Sequence, residues 1–526
     1  MSYGSEKKAF LTDAIETFHR AGPKTASGRP VRVEAIAEGS AESMESILEG
    51  QSDVHVWSPA SSLLVDVLNQ RWLEAHPNLG TAEKLVNDAP PLLLSPVVVA
   101  MWEPMAKALG WPEKKLGWKE IADLAVTEGG WALLGKPQWG AFKLGHTHPR
   151  YSNSGLLALV AATYAGAGKS RDLTDADVAK AAPFVKRMQG SIVHYGRSTG
   201  FFSEKMRSRG PGYLSAAVLY ENLVAESYLD GKGSEQTFPI VAIYPREGTF
   251  WADHPYAVLN LPSVTLEIRE GAELFKKHLL APERQQLALA RYGFRPADPA
   301  VPLAAPIDAA HGLDPKQPEN LLPSPPVAVT RRILDAFEDV KRPVAITFVL
   351  DTSGSMKGDP LAQAKAGARV FLETLSPGDS VRLQFFSGRV RWLSESYEGL
   401  GSARPKAIAA VEEVFAEGGT ALYQAVLDAA KPAPNAPKDA IRAVVVLTDG
   451  KDTDSRVKLD DLLAALRKGS GSGEETEGGT RVFTIGYGSG ADPAVLKLIA
   501  EAGGGAFLAG TPKNIKNVYA ELASFF

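Results

Sequence analysis

The stretch Val344-Ala345-Ile346-Thr347-Phe348-Val349-Leu350-Asp351-Thr352-Ser353-Gly354-Ser355-Met356 decides how the last third of this chain folds. From Val344 to Leu350 it is a nearly continuous apolar, β-branched-rich run behind Pro343, which suits a strand buried on both faces. The run ends on a carboxylate and enters a Ser/Gly turn. A helical pattern follows over 360–375, then a strand over 379–387 and a helix around 404–415. Further strands are expected over 443–449 and 481–488, with closing helices around 493–502 and 512–524. Strands alternating with helices through short connections describe a parallel, doubly wound (Rossmann-like) α/β sheet. The polar, glycine-rich stretch 469–479 reads as a loop within it.

In open parallel sheets ligands bind beyond the carboxyl ends of the strands, where Asp351 to Met356 lies. Asp351, Ser353 and Ser355 supply one carboxylate and two hydroxyls at alternate positions, with Gly354 permitting a tight turn. Thr420 follows Gly418-Gly419, and Asp449 ends the 443–449 strand in Leu447-Thr448-Asp449-Gly450. All five groups are expected to converge at one sheet edge. Each is a hard oxygen donor, which selects Mg²⁺, Mn²⁺ or Ca²⁺ over zinc or copper. Few carboxylates with several hydroxyls suit Mg²⁺, which keeps some of its waters. Two carboxylates leave such an ion incompletely neutralised and favour an acidic residue from a protein partner completing its shell.

Asp-x-Ser-x-Ser, a Gly-Gly-Thr loop and Thr-Asp-Gly after a strand together resemble the metal-ion-dependent adhesion site (MIDAS) of the von Willebrand factor A (vWA) family, over 343–526. The resemblance implies that Asp351, Ser353 and Ser355 ligate or orient the ion. It implies that Thr420 and Asp449 act directly or through water.

The first three hundred residues are also α/β but less regular. Strands are expected over 32–40, 55–62, 91–102, 191–198 and 239–248, and helices over 6–21, 214–227 and 269–292. Ser5, Ser40, Ser58 and the turn Tyr151-Ser152-Asn153-Ser154-Gly155 sit at strand-to-helix junctions, where hydroxyls and backbone N–H groups hold small anions or polar solutes. YGSEKKAF, AEGS, VWSPASS and PRYSNSG, with VLYENLV before PIVAIYPREGTFW, resemble type 2 periplasmic solute-binding proteins, especially the molybdate-binding group. That resemblance implies a bilobal module over 1–322, with one lobe from 1–100 and 242–322 and the other from 101–241. Ser5, Ser40, Ser58, Ser154 and Tyr195 are then expected to face the cleft, with Tyr220 or Glu221 near the hinge and Glu221 included in the solute site. Two departures stand out: Tyr3 comes so early that part of the first strand is expected to be missing, and acidic Glu221 opposes a purely anionic ligand.

Residues 297–329 are dense in proline and read as a semi-rigid strap, followed by a short connecting helix over 331–340, so that 323–342 links the two modules. A length of 526 residues implies at least two folding units and more readily three. The net charge of −4 argues against a nucleic-acid binder, and no apolar run approaches the length of a membrane span. The absence of cysteine removes disulfides, thiolate metal sites and a Cys nucleophile. No nucleophile with a paired base stands out, and a non-catalytic role is expected. Gly166-Ala167-Gly168-Lys169-Ser170 lacks the first glycine of a phosphate-binding loop, and His146, His148 and His194 are read as ordinary core or surface residues. Met1 to Ser5 shows neither the basic nor the apolar region of an export leader, so an extracytoplasmic location is expected from the resemblance alone. The favoured function is therefore solute binding joined to Mg²⁺-dependent protein binding. The alternative is an adhesion or assembly scaffold whose first module no longer binds solute.

Overall fold

The computed structural model describes residues 1–80, 83–126, 129–229, 236–437, 440–469, 479–488 and 490–511, with 515, 518, 519 and 522. It divides into two compact units, Met1–Val340 and Lys341–Phe526, rather than three.

In the second unit the strand Val344–Asp351 lies between Ser380–Phe386 and Ile441–Thr448, parallel to both. Arg481–Tyr487 and Gly504–Gly510 extend the sheet in parallel. Strand alternation divides the core: Val344, Ile346, Phe348 and Leu350 join the cluster on one face, and Val349 joins the other. Phe348 stacks on Phe371 at 5.9 Å, with Tyr519 6.0 Å away. The fold is the doubly wound one expected, with additions. Gly504–Gly510 is a fifth parallel strand that its glycines concealed, and short strands Val390–Trp392 and Glu398–Gly399 pair antiparallel with Ser380–Phe386. The 469–479 loop and the helix expected over 512–524 lie mostly outside the described residues.

The first unit holds two sheets. One runs Ala257–Val258, Val56–Ser58, Ser2–Gly4, Ile36–Glu38. Ser2–Gly4, the first strand, is flanked by parallel neighbours on both sides. The other sheet runs Arg295–Pro296, Leu93–Trp102, Ala216–Tyr220, Leu144–Thr147, Ile192–Gly196. Leu93–Trp102 carries the chain between lobes. Its start pairs with Arg295–Pro296 and Trp251–Ala252, and its end with Ala216–Tyr220 and Ile240–Ile243. This is the bilobal type 2 periplasmic-binding-protein fold.

Two helix expectations are corrected. Ala216–Tyr220 is a wholly buried central strand and the helix begins only at Glu221. Ala and Leu favour helices in isolation, but the slot between two strands overrides that preference. The helix expected over 269–292 is two, Leu266–Leu279 and Pro282–Tyr292, broken where Pro282 opens the second.

The expected connector, Val327–Val340, packs as part of the first unit. Its Phe337 is fully buried, edge-on to His148 at 5.4 Å and 5.6 Å from Tyr195. Arg331 pairs with Glu74 in one lobe, and Glu338 with Arg150 in the other. A stripe of apolar residues at helical spacing makes this helix a clamp across both lobes rather than a free tether. The proline-rich strap is likewise fastened, with Leu322 N donating to Thr249 O and Ala242 N to Gly312 O.

Candidate metal centre and solute cleft

The register Leu350↔Leu447 of two adjacent parallel strands sets their C-terminal residues side by side. Thr448 Oγ1 therefore donates to Asp351 Oδ2 at 2.5 Å, while Ser353 N donates to Asp351 Oδ1 at 2.7 Å. Ser353 and Ser355 hydroxyls lie 3.0 Å apart, and Ser355 Oγ donates to Asp449 Oδ1 at 2.6 Å. The Thr420 loop is tied in by Gly354 N donating to Gly418 O at 2.9 Å, and by Thr453 Oγ1 accepting from Thr420 N at 2.9 Å. Gly418 has φ +79°, which glycine adopts without strain. A methyl placed on Gly450 would lie 3.3 Å from Thr420 Oγ1 and 3.4 Å from Ser355 Oγ, so hydroxyls from two separate loops face one small space.

Asp351 is fully buried and Asp449 nearly so. Burial pushes the Asp351 carboxyl up to about 6, the bonds from Ser353 and Thr448 pull the other way, and the Asp449 charge adds to the rise. Burial raises Asp449 as well. Among the described residues no group of three or more His, Cys, Asp or Glu is placed to hold a metal ion, and this centre sets hydroxyls beside two carboxylates. That donor set fits a hard divalent cation, which Asp351, Ser353, Ser355, Thr420 and Asp449 could hold.

The lobes of the first unit are closed on one another. Glu42 and Arg197 form an ion pair across them, and Gly200 N donates to Ser5 Oγ at 3.2 Å. Beneath these contacts Glu6, Lys7 and His254 are buried together. Lys7 Nζ donates to Glu6 Oε1 at 2.7 Å and Pro59 O at 3.3 Å, and lies 3.2 Å from His254 Nδ1. Burial would raise Glu6, but the Lys7 ammonium and His254 draw it down to about 2. His254 sits at φ +40°, a conformation that costs a non-glycine residue free energy and tends to mark functional positions. Its ring meets Tyr220 edge-on at 5.5 Å, and Asn153 Nδ2 donates to Tyr220 Oη at 3.0 Å.

The family model for bacterial extracellular solute-binding proteins matches residues 35–315, more than half of the chain. The chain belongs to that family. This solute-binding protein also carries a C-terminal vWA domain, whose family model matches residues 345–521. Its vWA part is 29% identical over 172 residues to a Synechocystis protein, covering 32% of this chain and 37% of that one. It is 30% identical over 172 residues to inter-alpha-trypsin inhibitor heavy chain H4 of Sus scrofa, covering 31% of this chain and 18% of that one. The chain thus spans well under half the length of these relatives. Among solved structures it is similar to a periplasmic thiamin binding protein, at 12% identity and TM-score 0.46, covering 64% of this chain and 94% of that one. It is also similar to a von Willebrand factor type A protein from Catenulispora acidiphila, at 24% identity and TM-score 0.31, covering 35% and 42%.

The residues expected in the solute site divide into three groups. Ser5 and Ser154 gather around Thr199–Gly200, Ser154 sharing its hydroxyl with Thr147 and Thr199 at 2.7 and 2.8 Å. Ser40 caps the Ala60 N–H at 3.0 Å, beside Ser58, whose buried hydroxyl has no hydrogen-bond partner among the described residues. Tyr195 and Glu221 lie elsewhere. Tyr195 donates to Gln189 Oε1 at 3.0 Å within an aromatic cluster with His146, His148 and Phe337. Glu221 is locked to Arg295 through two 2.6 Å bonds and accepts from Tyr244 at 2.5 Å, so its charge is spent internally and opposes no solute. Glu6, Lys7, Thr199, His254 and Thr448 were not singled out from the sequence, and Asn153 was named only as part of the Tyr151–Gly155 turn. An adjacent Glu-Lys pair entering a helix ordinarily reads as solvated, and His254 comes from a remote stretch. Signals were available for Thr448, adjoining the Asp of the Thr-Asp-Gly turn, and for Asn153, inside the serine-rich turn.

Proposed function

We propose that this chain is an extracytoplasmic, non-catalytic solute-binding protein whose vWA domain grips a protein partner through a divalent cation, Mg²⁺ first, with Mn²⁺ or Ca²⁺ as alternatives. The observation that carries the reading is the meeting of the Thr420 and Ser355 hydroxyls at Gly450, beside the hydrogen-bonded Asp351 and Asp449. A bound cation there supplies positive charge that two carboxylates only partly offset, and an acidic side chain of a partner would complete its shell. Thr448 and Ser353 N hold Asp351 in place, and Ser355 orients Asp449. The family membership supports the extracytoplasmic location, and no helix among the described residues is long and apolar enough to cross a membrane.

The scaffold alternative draws support from Ser40 and Ser154, whose hydroxyls already have partners inside the protein. The unpartnered Ser58 supports solute binding. Native mass spectrometry of the gently purified chain, with and without EDTA, separates the parts. One EDTA-sensitive metal adduct and a second adduct that survives EDTA are expected. Absence of any metal adduct in Mg²⁺-containing buffer overturns the metal-dependent reading. A metal adduct alone, with no thermal shift across a solute panel, favours the scaffold.

A further inference from the structure

Of the seven buried side-chain atoms in the first unit that lack hydrogen-bond partners among the described residues, three belong to one continuous neighbourhood: Ser58 Oγ, Asn153 Oδ1 and His254 Nε2. Asn153 holds Tyr220, Tyr220 abuts His254, His254 touches Lys7, and Lys7 reaches Pro59, next to Ser58. The first strand-and-turn lobe contributes Ser58 and the second lobe Asn153. Buried polar atoms are seldom left without partners, so three together at a closed interlobe face mark where a solute's polar groups fit.

The charges there are already balanced. Lys7 Nζ donates to Glu6 Oε1 and Pro59 O, and to His254 Nδ1 where that nitrogen accepts, so its charge is turned onto the protein's own groups. Glu6 offsets its charge, and the neighbouring Asp253 carboxylate accepts from Ser62 N at 2.8 Å. Across the lobes Arg197 is paired with Glu42, and Arg295 with Glu221. His254 Nδ1 lies 3.2 Å from both Lys7 Nζ and Glu6 Oε1. Accepting from Lys7, the ring keeps its proton on Nε2; donating to Glu6, it leaves Nε2 an acceptor. Burial and the Lys7 charge disfavour a second ring proton in either case, and burial keeps the Tyr220 phenol protonated.

We infer that the cleft takes an uncharged, hydroxyl-bearing solute of the polyol or sugar class, read by Ser58, Asn153 and His254, and not an anion. A hydroxyl both donates and accepts, which matches one hydroxyl, one amide carbonyl and one imidazole nitrogen without leaving a charge uncompensated. This deepens the solute-binding part of the proposed function and rests on it.

The test is calorimetric titration of the dialysed full chain against two probe sets. One contains glycerol, myo-inositol, glucose and maltose; the other phosphate, sulfate, molybdate and citrate. Binding is expected from the uncharged set only. Ser58→Ala removes a hydroxyl that bonds to nothing internal, so it keeps the fold, and it should weaken that binding about three- to tenfold. His254→Gln should weaken it as well. Binding of an anion in place of the uncharged probes overturns the class and leaves solute binding standing. Uncharged binding that Ser58→Ala and His254→Gln both leave unchanged overturns the assignment of these residues. No binding from either set removes the solute-binding reading and this inference with it.

Discussion

The two sites treat buried carboxylates in opposite ways. In the vWA domain Asp351 and Asp449 are buried beside hydroxyls and backbone, and burial raises both. In the solute-binding unit each buried carboxylate has a cation against it: Glu6 has Lys7, and Glu221 has Arg295. On the proposed reading the first arrangement takes a positive charge from outside, and the second, already matched in charge, takes neutral hydrogen-bond partners. Buried charge alone therefore does not identify what a site binds. What matters is whether the charge is already matched.

If that contrast holds, breaking a matched pair should damage the solute-binding unit most. Glu221→Ala strands Arg295, and should cost about 3–5 kcal/mol of that unit's stability. Differential scanning calorimetry should show its transition falling while that of the vWA domain stays in place; a joint fall would show that the units do not unfold separately. Acid probes the other pair. With Glu6 held at about 2 against an ordinary 4.5, its stabilisation is fully present above about pH 4.5 and is lost as pH falls toward 2. Unfolding of the first unit followed from pH 5 to 2.5 should steepen accordingly, and Glu6→Gln should flatten that dependence. At the proposed metal centre Thr448→Val removes the bond to Asp351, with an expected loss of about 1.5–3 kcal/mol in the vWA transition and weaker Mg²⁺ binding. The smallest effect belongs to the clamp helix. Arg331→Ala breaks a half-exposed pair with Glu74 and should change stability by less than about 1 kcal/mol, measured by urea unfolding.

The same contrast explains what the sequence made legible. The proposed metal centre draws three of its five groups from Asp351 to Ser355, and adjacent parallel strands bring Asp449 alongside, so local spacing and strand order place these groups together. The cleft draws on residues near 6, 58, 153, 199 and 254, from five stretches whose proximity depends on two sheets and a closed interface. Serines at strand ends located that region but did not distinguish Ser58, which is unpartnered, from Ser40, which caps a turn. Tyr195 was misplaced because Phe337, well over a hundred residues later, packs against it. Glu221 was misplaced because Arg295 neutralises it. Ala216–Tyr220 was misread as helix because its strand state is imposed by its neighbours Leu93–Trp102 and Leu144–Thr147. Each miss has a tertiary cause absent from local pattern.

Isothermal titration of Mg²⁺ into metal-stripped full chain, beside the Asp351→Ala variant, puts the metal centre to the test. One bound ion per chain is expected for the unaltered protein, with none for the variant, while the first unit's thermal transition stays the same in both. Equal Mg²⁺ binding by the two proteins, or none by either, would contradict a metal centre built on Asp351.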